Sequence, residues 1–450
     1  MTAPRPRPLA RLTHLPLALC LGAALATSAS AQSLLTLVEQ AQSYDAAWQS
    51  AQAQWRAASS RADQARAGLL PSAALAAGVG TARTEISRPE MSMTLPNRSV
   101  SVSASQPLYR PANRIGLEQS QRGIDIAQAQ LDAATQDLLV RVSQAYFDVL
   151  AAQDTLTFVR AQKTAVAEQL AAAQRNFEVG TTTVTDQREA QARFDLVRAR
   201  EIAAENDLHV KRLALDQLVG RSAIQPWPLA QPVQLPAPDS HEVTHWVEQA
   251  QQQQPQIRQA LMAVDVARLE TAKARTGHLP TVDLQASHAI NHYPKGSANS
   301  LGLNTRNTTT SVGVALNLPL FAGFAVQNRI QETLAREEQA EADLEALRRN
   351  VAQATRAAYF GVQSGHSQVS ALQAAEASSQ SALDANQLGY KVGVRINIDV
   401  LNAQSQLYET KRDLAVARYN LLLGQLKLRQ AAGVLSLDDL RALDALLARP

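Results

Sequence analysis

The stretch Gln387-Leu-Gly-Tyr-Lys-Val-Gly-Val-Arg-Ile-Asn-Ile-Asp399 is a short turn between two long helix-forming runs. An earlier stretch, Asn176-Phe-Glu-Val-Gly-Thr-Thr-Thr-Val-Thr-Asp186, copies it: Val179-Gly180 matches Val392-Gly393, and Asp186 matches Asp399. The offset of 213 residues (399 − 186) also relates Tyr146-Phe147 to Tyr359-Phe360 and Gly220 to Gly433. A unit of about two hundred residues is far longer than a solenoid repeat. Its recurrence predicts a duplicated domain with two equivalent helical tips.

Outward from the first tip, residues 112–177 read as one helix. Leu138, Val142, Ala145, Val149, Ala152, Leu156, Val159, Lys163, Val166, Leu170, Ala173 and Phe177 recur in steps of four and three. That period of 3.5 imposes a left-handed supercoil. A plain coiled-coil spacer would carry the same stripe. The second repeat has its counterpart in Val351, Ala358, Val362, Val369, Leu372 and Leu383. After each tip a return helix follows, to Leu218 with Gly220 beyond it, and from Asp399 to about Leu428. Asp186 and Asp399 follow tight turns and read as helix N-caps, Asp186 with Glu189 as a capping box.

Before each long helix lie a shorter helix and two short extended runs. The shorter helices are read over Ser33 to Leu69, stopped by Pro71, and over His241 to Thr276, stopped by Pro280. Ser72 to Thr81 and Ser99 to Leu108 read as strands, as do Thr281 to Asn291 and Ser311 to Leu320, with apolar residues alternating against Ser, Asp and Gln. Residues 83–98 and 292–307 read as polar loops. A long helix of about 66 residues spans ~100 Å, and the short and return helices of one repeat together span a similar length. They would therefore stack end to end beside it. Four strands cannot close a membrane barrel, and open edges are not tolerated in lipid. If they span a membrane, copies must combine: two give eight strands, three give twelve.

The remaining segments set the compartment. Arg5, Arg7 and Arg11, the apolar run from Leu15 to Leu25 and Ala29-Ser-Ala31 make a signal peptide cleaved after Ala31. Cys20, the only cysteine, lies inside it behind the large Leu19, a poor lipid-attachment context. The chain thus divides into a signal segment 1–31, a first repeat 32–220, a Pro-rich linker 221–240, a second repeat 241–433 and an amphipathic tail 434–450. Net charge is only +3 among 43 basic and 40 acidic residues, and no basic block points to nucleic acid.

Gly389-Tyr-Lys-Val-Gly-Val-Arg-Ile-Asn-Ile-Asp-Val-Leu-Asn402, with Leu407-Tyr-Glu-Thr-Lys-Arg-Asp-Leu-Ala-Val-Ala-Arg-Tyr419 behind it, resembles the second tip and return helix of the TolC family of outer-membrane channels. The resemblance covers both repeats. It implies a mainly α-helical protein with a membrane β-barrel: a homotrimer with a twelve-stranded barrel in outer-membrane lipid and an α-helical barrel through the periplasm. It also implies docking to a periplasmic adaptor and an inner-membrane ABC or proton-driven transporter, and no cofactor. The start of the mature chain looks more like the type I protein-secretion branch than the drug-efflux branch. The resemblance assigns Arg395, Tyr390 and Arg418 as donors of a gate lock, and Thr185 and Asp186 as its acceptors. Asp399 becomes a ring at the pore constriction, with Asn402 where the family's second acidic ring would fall. Val179, Gly180, Val392 and Gly393 become the adaptor-facing turns. Without the resemblance, Arg395 reads as a solvated charge and Tyr390 as part of the heptad core.

Two other functions compete. His241-Glu242-Val-Thr-His245 fits H-E-x-x-H, which on a helix would bring two imidazoles and a general base to one zinc. No third ligand is in reach, and the first repeat lacks the pair. A periplasmic adaptor would also be a coiled-coil hairpin, but with one hairpin between compact β domains rather than two full copies.

Overall fold

The computed structural model describes residues 32–88, 90–230, 232–233, 235–236, 241–294 and 304–448. The signal segment, with Cys20 and the cleavage site, falls outside the described residues. The first repeat contains α1 (Leu34–Tyr44), α2 (Ala46–Ala67), β1 (Ser72–Ser87), β2 (Glu90–Tyr109), α3 (Pro111–Glu178) and α4 (Val184–Val219). The second runs in the same order: α5 (Val243–Gln253), α6 (Pro255–Arg275), β3 (Thr281–Tyr293), β4 (Thr305–Asn317), α7 (Ala325–Lys391) and α8 (Asn397–Ala431). A last helix, α9 (Leu437–Asp444), closes the described chain.

Both long helices are continuous, 68 residues in α3 and 67 in α7. The stripe on α3 is its buried face: Leu138, Val142, Val149, Ala152, Leu156, Val166, Leu170 and Ala173 are all buried. Lys163, the polar interruption, pairs with Glu201 of α4 at 2.5 Å. As the lengths require, α2 and α4 both pack along α3, and α6 and α8 along α7, while α3 also contacts α6 and α8. Trp48 Nε1 donates to Thr135 Oγ1 on the α2 side, and the Arg160 guanidinium to Glu205 on the α4 side.

The shorter helices are each broken, a difference from the continuous helices the sequence suggests. Asp45 leaves the helix in an extended conformation and caps α2 by accepting from the Trp48 amide at 2.7 Å. Arg141 holds its carboxylate from α3, so the Asp45 carboxyl lies below its usual range, chiefly through that hydrogen bond. In the second repeat Gln254 breaks the helix ahead of Pro255, which cannot donate a backbone hydrogen bond. The glycines ending the return helices press on these breaks. Gly433 (φ +76°) leaves so little room that an added Cβ would lie 2.4 Å from Gln254 Cα, and Gly220 (φ +75°) fits the same way against the Tyr44 ring.

The hairpins form one antiparallel sheet in the order β1-β2-β3-β4, with β1 and β4 as open edges. Residues 83–98, read from sequence as a loop, are strand. The ladder runs to Ser87↔Glu90, so the polar composition there does not mark irregular backbone. β4 likewise starts at Thr305 and stops at Asn317, short of Leu320. Register sorts the faces. Leu75 pairs with Val102, Ala77 with Val100, Leu284 with Val314 and Val282 with Leu316. The opposite face carries Ser103, Ser105, Gln285, Ser287 and Ser311, which line a concavity. Valines and leucines alternating with serines and Gln along the paired strands are the pattern of a membrane barrel wall. No described helix is long and apolar enough to cross a membrane.

The Pro-rich segment is a belt rather than a free linker. Ile224 and Leu229 are buried in the main core. Gln32 bridges to Pro226 and Leu229 to Leu447, and the buried Tyr146 hydroxyl donates to the Trp227 carbonyl at 3.0 Å. Positions 237–240 lie outside the described residues. In the tail, α9 is capped by Ser436 with Asp439 and buried through Leu440 and Leu443.

Candidate functional site at the helical tip

Both tips end their long helix in the same motif. Thr181 N donates to Asn176 O and Gly180 N to Phe177 O; Val394 N donates to Gly389 O and Gly393 N to Tyr390 O. This is the paired bonding of a Schellman cap, and it demands a left-handed residue, supplied by Gly180 (φ +76°) and Gly393 (φ +80°). Beside them Val179 and Val392 stand exposed.

The two aspartates are one turn further in than an N-cap. Thr183 caps α4, and Asp186 Oδ2 accepts from the Thr183 amide at 3.1 Å and hydroxyl at 3.0 Å. Glu189 is not the capping-box partner; Asp186 is. Asp399 holds the matching place in α8, where Ile396 at the cap position offers no side-chain oxygen. No side-chain cap hydrogen bond forms there, and the ion-pair partner of the Asp399 carboxylate is Arg395, with Nη1 3.6 Å from Oδ2.

Arg395 is not an unconstrained charge. Its stem lies over Gly389, where an added Cβ would come within 2.7 Å of Arg395 Cγ. The side chain as a whole remains 58 % exposed. Within this chain it reaches neither Thr185 nor Asp186, and Thr185 is exposed. Tyr390 does meet the first hairpin: its hydroxyl accepts from Asn176 Nδ2 at 3.3 Å. Asp399, Asn402, Asn386, Ser379 and Gln406 line one groove with Arg395.

Arg418 is not at the tip. It lies 19 residues beyond Asp399 on α8, roughly 28 Å along the helix axis. There it sits near the half-buried Asp154, which accepts from the Tyr419 hydroxyl at 2.7 Å. Burial pushes the Asp154 carboxyl up, against the opposing Tyr419 hydrogen bond and Arg418 charge.

Two contacts at the tip escaped the sequence reading. Arg193 of α4 donates to Asn402 Oδ1 at 2.8 Å, and Arg200 pairs with Glu409 at 3.0 Å. Both join α4 to α8, and both partners are seven residues apart. Polar partners recurring seven residues apart on the two return helices were the available signal. Asn402 thus has a use that a pore-lining amide alone would not explain.

The zinc constellation does not assemble on a helix. α5 starts at Val243, Glu242 is its cap residue and His241 precedes it, so the three do not share a helical face. The two imidazoles stack at 4.5 Å between centroids. Among the described residues no group of three or more potential ligands is placed to hold a metal.

Two long helices flanked by shorter ones, a sheet with one apolar face and two open edges, and paired polar tips are the parts of a channel subunit. The sequence pattern of the outer membrane efflux protein family matches residues 37–221 and 246–434, and the chain belongs to that family. It is 33 % identical over 432 residues to outer membrane protein TolC of Vibrio cholerae, across 95 % of this chain and 98 % of that protein. It is 34 % identical over 327 residues to the alkaline protease secretion protein AprF of Pseudomonas aeruginosa, across 71 % and 67 %. The crystal structure of the outer membrane protein VceC of Vibrio cholerae superposes with a TM-score of 0.76 at 18 % identity, covering 89 % of this chain and 96 % of that one. The protein is an outer-membrane export channel whose helices extend into the periplasm.

Proposed function

We propose that this chain, as three copies, forms the exit duct of a tripartite machine that exports proteins, with the paired tips as its gate. The two repeats, 32–220 and 241–433, contribute equivalent segments of one wall. Closure follows from the sheet: four strands with two open edges need partners in lipid, and three chains supply twelve. At the tip, Arg395 reaches Thr185 or Asp186 of the neighbouring copy and holds the mouth shut, while Asp399 forms a ring of three carboxylates at the constriction. The turns at Val179-Gly180 and Val392-Gly393 meet a periplasmic adaptor, which links the duct to an inner-membrane transporter.

The observation that carries the protein-export reading is the likeness to a protein named for alkaline protease secretion. A strain lacking this chain is expected to retain an exported protein inside the cell, with its sensitivity to small toxic compounds unchanged. Secretion intact beside a sharp rise in that sensitivity would place the chain with drug efflux instead.

A further inference from the structure

Alternate residues of a strand share one face of a sheet, so the ladder sorts side chains by face and by level. On the face of Leu75, Val102, Leu284 and Val314 the apolar levels end at one row, in which Val79 pairs with Arg98, Arg98 with His292, and His292 with Arg306. Arg306 is the only Asp, Glu, Lys or Arg in β4, and Arg98 is the only one in β2 from Asn97 to Tyr109. Two strand segments with one such charge each thus place it at the same level and on the same side. Their neighbours on the opposite face are neutral amides, Asn97, Asn291 and Asn307. Beyond the row the first face continues along β1 as Thr81, Arg83 and Glu85, and Arg83 pairs with Glu85 at 3.0 Å.

The row marks the outer limit of the apolar band. The helices join the sheet at Ser72, Tyr109, Thr281 and Asn317, which is its periplasmic end, and the row lies toward the hairpin turns. Val282 and His292 are ten residues apart (292 − 282) on β3. That is ~34 Å of strand. At the ~40° tilt of barrel strands it covers ~26 Å of membrane depth, against an apolar band of ~25 Å. Arg98 and Arg306 therefore stand where hydrocarbon gives way to the headgroups of the outer leaflet. Both are exposed, and neither has a hydrogen bond or ion pair among the described residues. His292 separates them, its Nε2 donating to Asn304 Oδ1 at 2.6 Å. Two guanidinium groups two strands apart, ~10 Å, repel unless an anion lies between them, and their forked donors match a phosphate.

We infer that Arg98 and Arg306, on either side of His292, bind the phosphate of an anionic glycolipid in the outer leaflet. The inference rests on the closed barrel proposed above, since closure turns this face to lipid. Charge and depth fix the occupant. The site is cationic, lies at headgroup level and faces away from the serine-lined lumen, so a soluble anion inside the duct does not meet it. A headgroup without net charge would leave both arginines uncompensated.

The test uses the full chain in neutral detergent, with diphosphorylated lipid A as the added probe and bound lipid read by native mass spectrometry. The parent is expected to hold lipid A, and Arg98→Gln with Arg306→Gln to bind it roughly 25-fold more weakly, about fivefold per arginine. Arg83→Gln, on the same face but at a residue already paired with Glu85, should bind like the parent. Lipid A stripped of its phosphates should bind the parent as weakly as intact lipid A binds the double variant. Inorganic phosphate at equal concentration should not displace the lipid. Double-variant binding at parent strength, or parent binding that survives removal of the phosphates, overturns the site. Displacement by inorganic phosphate makes it a free-anion site and overturns the lipid assignment. The comparison of intact with stripped lipid needs no variant, so it decides the matter even where the double variant fails to assemble. Three chains without phosphate-dependent lipid would sink this site and leave the barrel standing, whereas a parent mass of one chain would remove both.

Discussion

Arg395→Ser raises single-channel conductance in planar bilayers several-fold while the native mass stays at three chains. The reasoning starts from placement. Gly389 clears a path for the Arg395 stem, so the guanidinium is delivered to the rim of the tip rather than left to wander. Its ion-pair partner within the chain is Asp399, at 3.6 Å. More than half of the side chain is exposed, so each contact to a neighbouring copy belongs with surface pairs at ~0.2–1 kcal/mol. Three such contacts together give about 0.6–3 kcal/mol, which shifts a closed-to-open equilibrium by roughly 3- to 150-fold. The contacts of Arg193 with Asn402 and Arg200 with Glu409 still join α4 to α8. The serine variant is therefore expected to open more often and not to come apart. Unchanged conductance with three chains intact would make Arg395 a surface charge and put the closure elsewhere.

Asp399→Ala is expected to remove most of the channel's cation preference, read as a shift of reversal potential toward zero in a salt gradient. Three carboxylates at one level of a narrow mouth sum their fields and draw in cations. Asn402, one turn on, adds no charge, and Arg193 beside it places a positive one nearby. Selectivity should thus rest on Asp399 alone. The same geometry adds a sharper expectation. Arg395 sits within ion-pair distance of Asp399 and offsets part of its charge, so cation preference should rise in Arg395→Ser, and Asp399→Ala should cost more in that background than in the parent. Neighbouring charges couple in this non-additive way. Equal effects in both backgrounds would mean that the pair is not formed in the conducting channel.

Much of this architecture was legible before any coordinates. A 3.5-residue stripe over more than five heptads has few physical outcomes, and Leu138, Val142, Val149, Ala152, Leu156, Val166, Leu170 and Ala173 are buried where it places them. The repeated glycine turns also read correctly, since a Schellman cap needs a left-handed residue and Gly180 and Gly393 supply it. What escaped the sequence depends on contacts between segments distant in the chain. The break at Asp45 joins a local cap, Trp48 N on the Asp45 carboxylate, to the grip of Arg141, 96 residues away, and that second contact is not readable from the local sequence. Residues 83–98 look like a loop because they are largely polar and carry two prolines. The prolines near Trp227 suggested a spacer, but Ile224 and Leu229 between and before them reach the core and make it a belt. At the tip, Asp186 and Asp399 were recognisable as a matched pair, though one residue type cannot distinguish a cap from the third position of the first turn. A motif match carries no rise per residue, and α8 places Arg418 nineteen residues beyond Asp399 along its axis.

The central claim is that one chain supplies a third of a closed barrel. Native mass measurement on the detergent-extracted, bilayer-active protein tests it most directly, because the open edges of β1 and β4 leave no stable single-chain form in a membrane. The expected result is a single species of three chains that conducts ions and favours cations. A conducting species of one, two or four chains, or three chains that form no pore, would contradict the account.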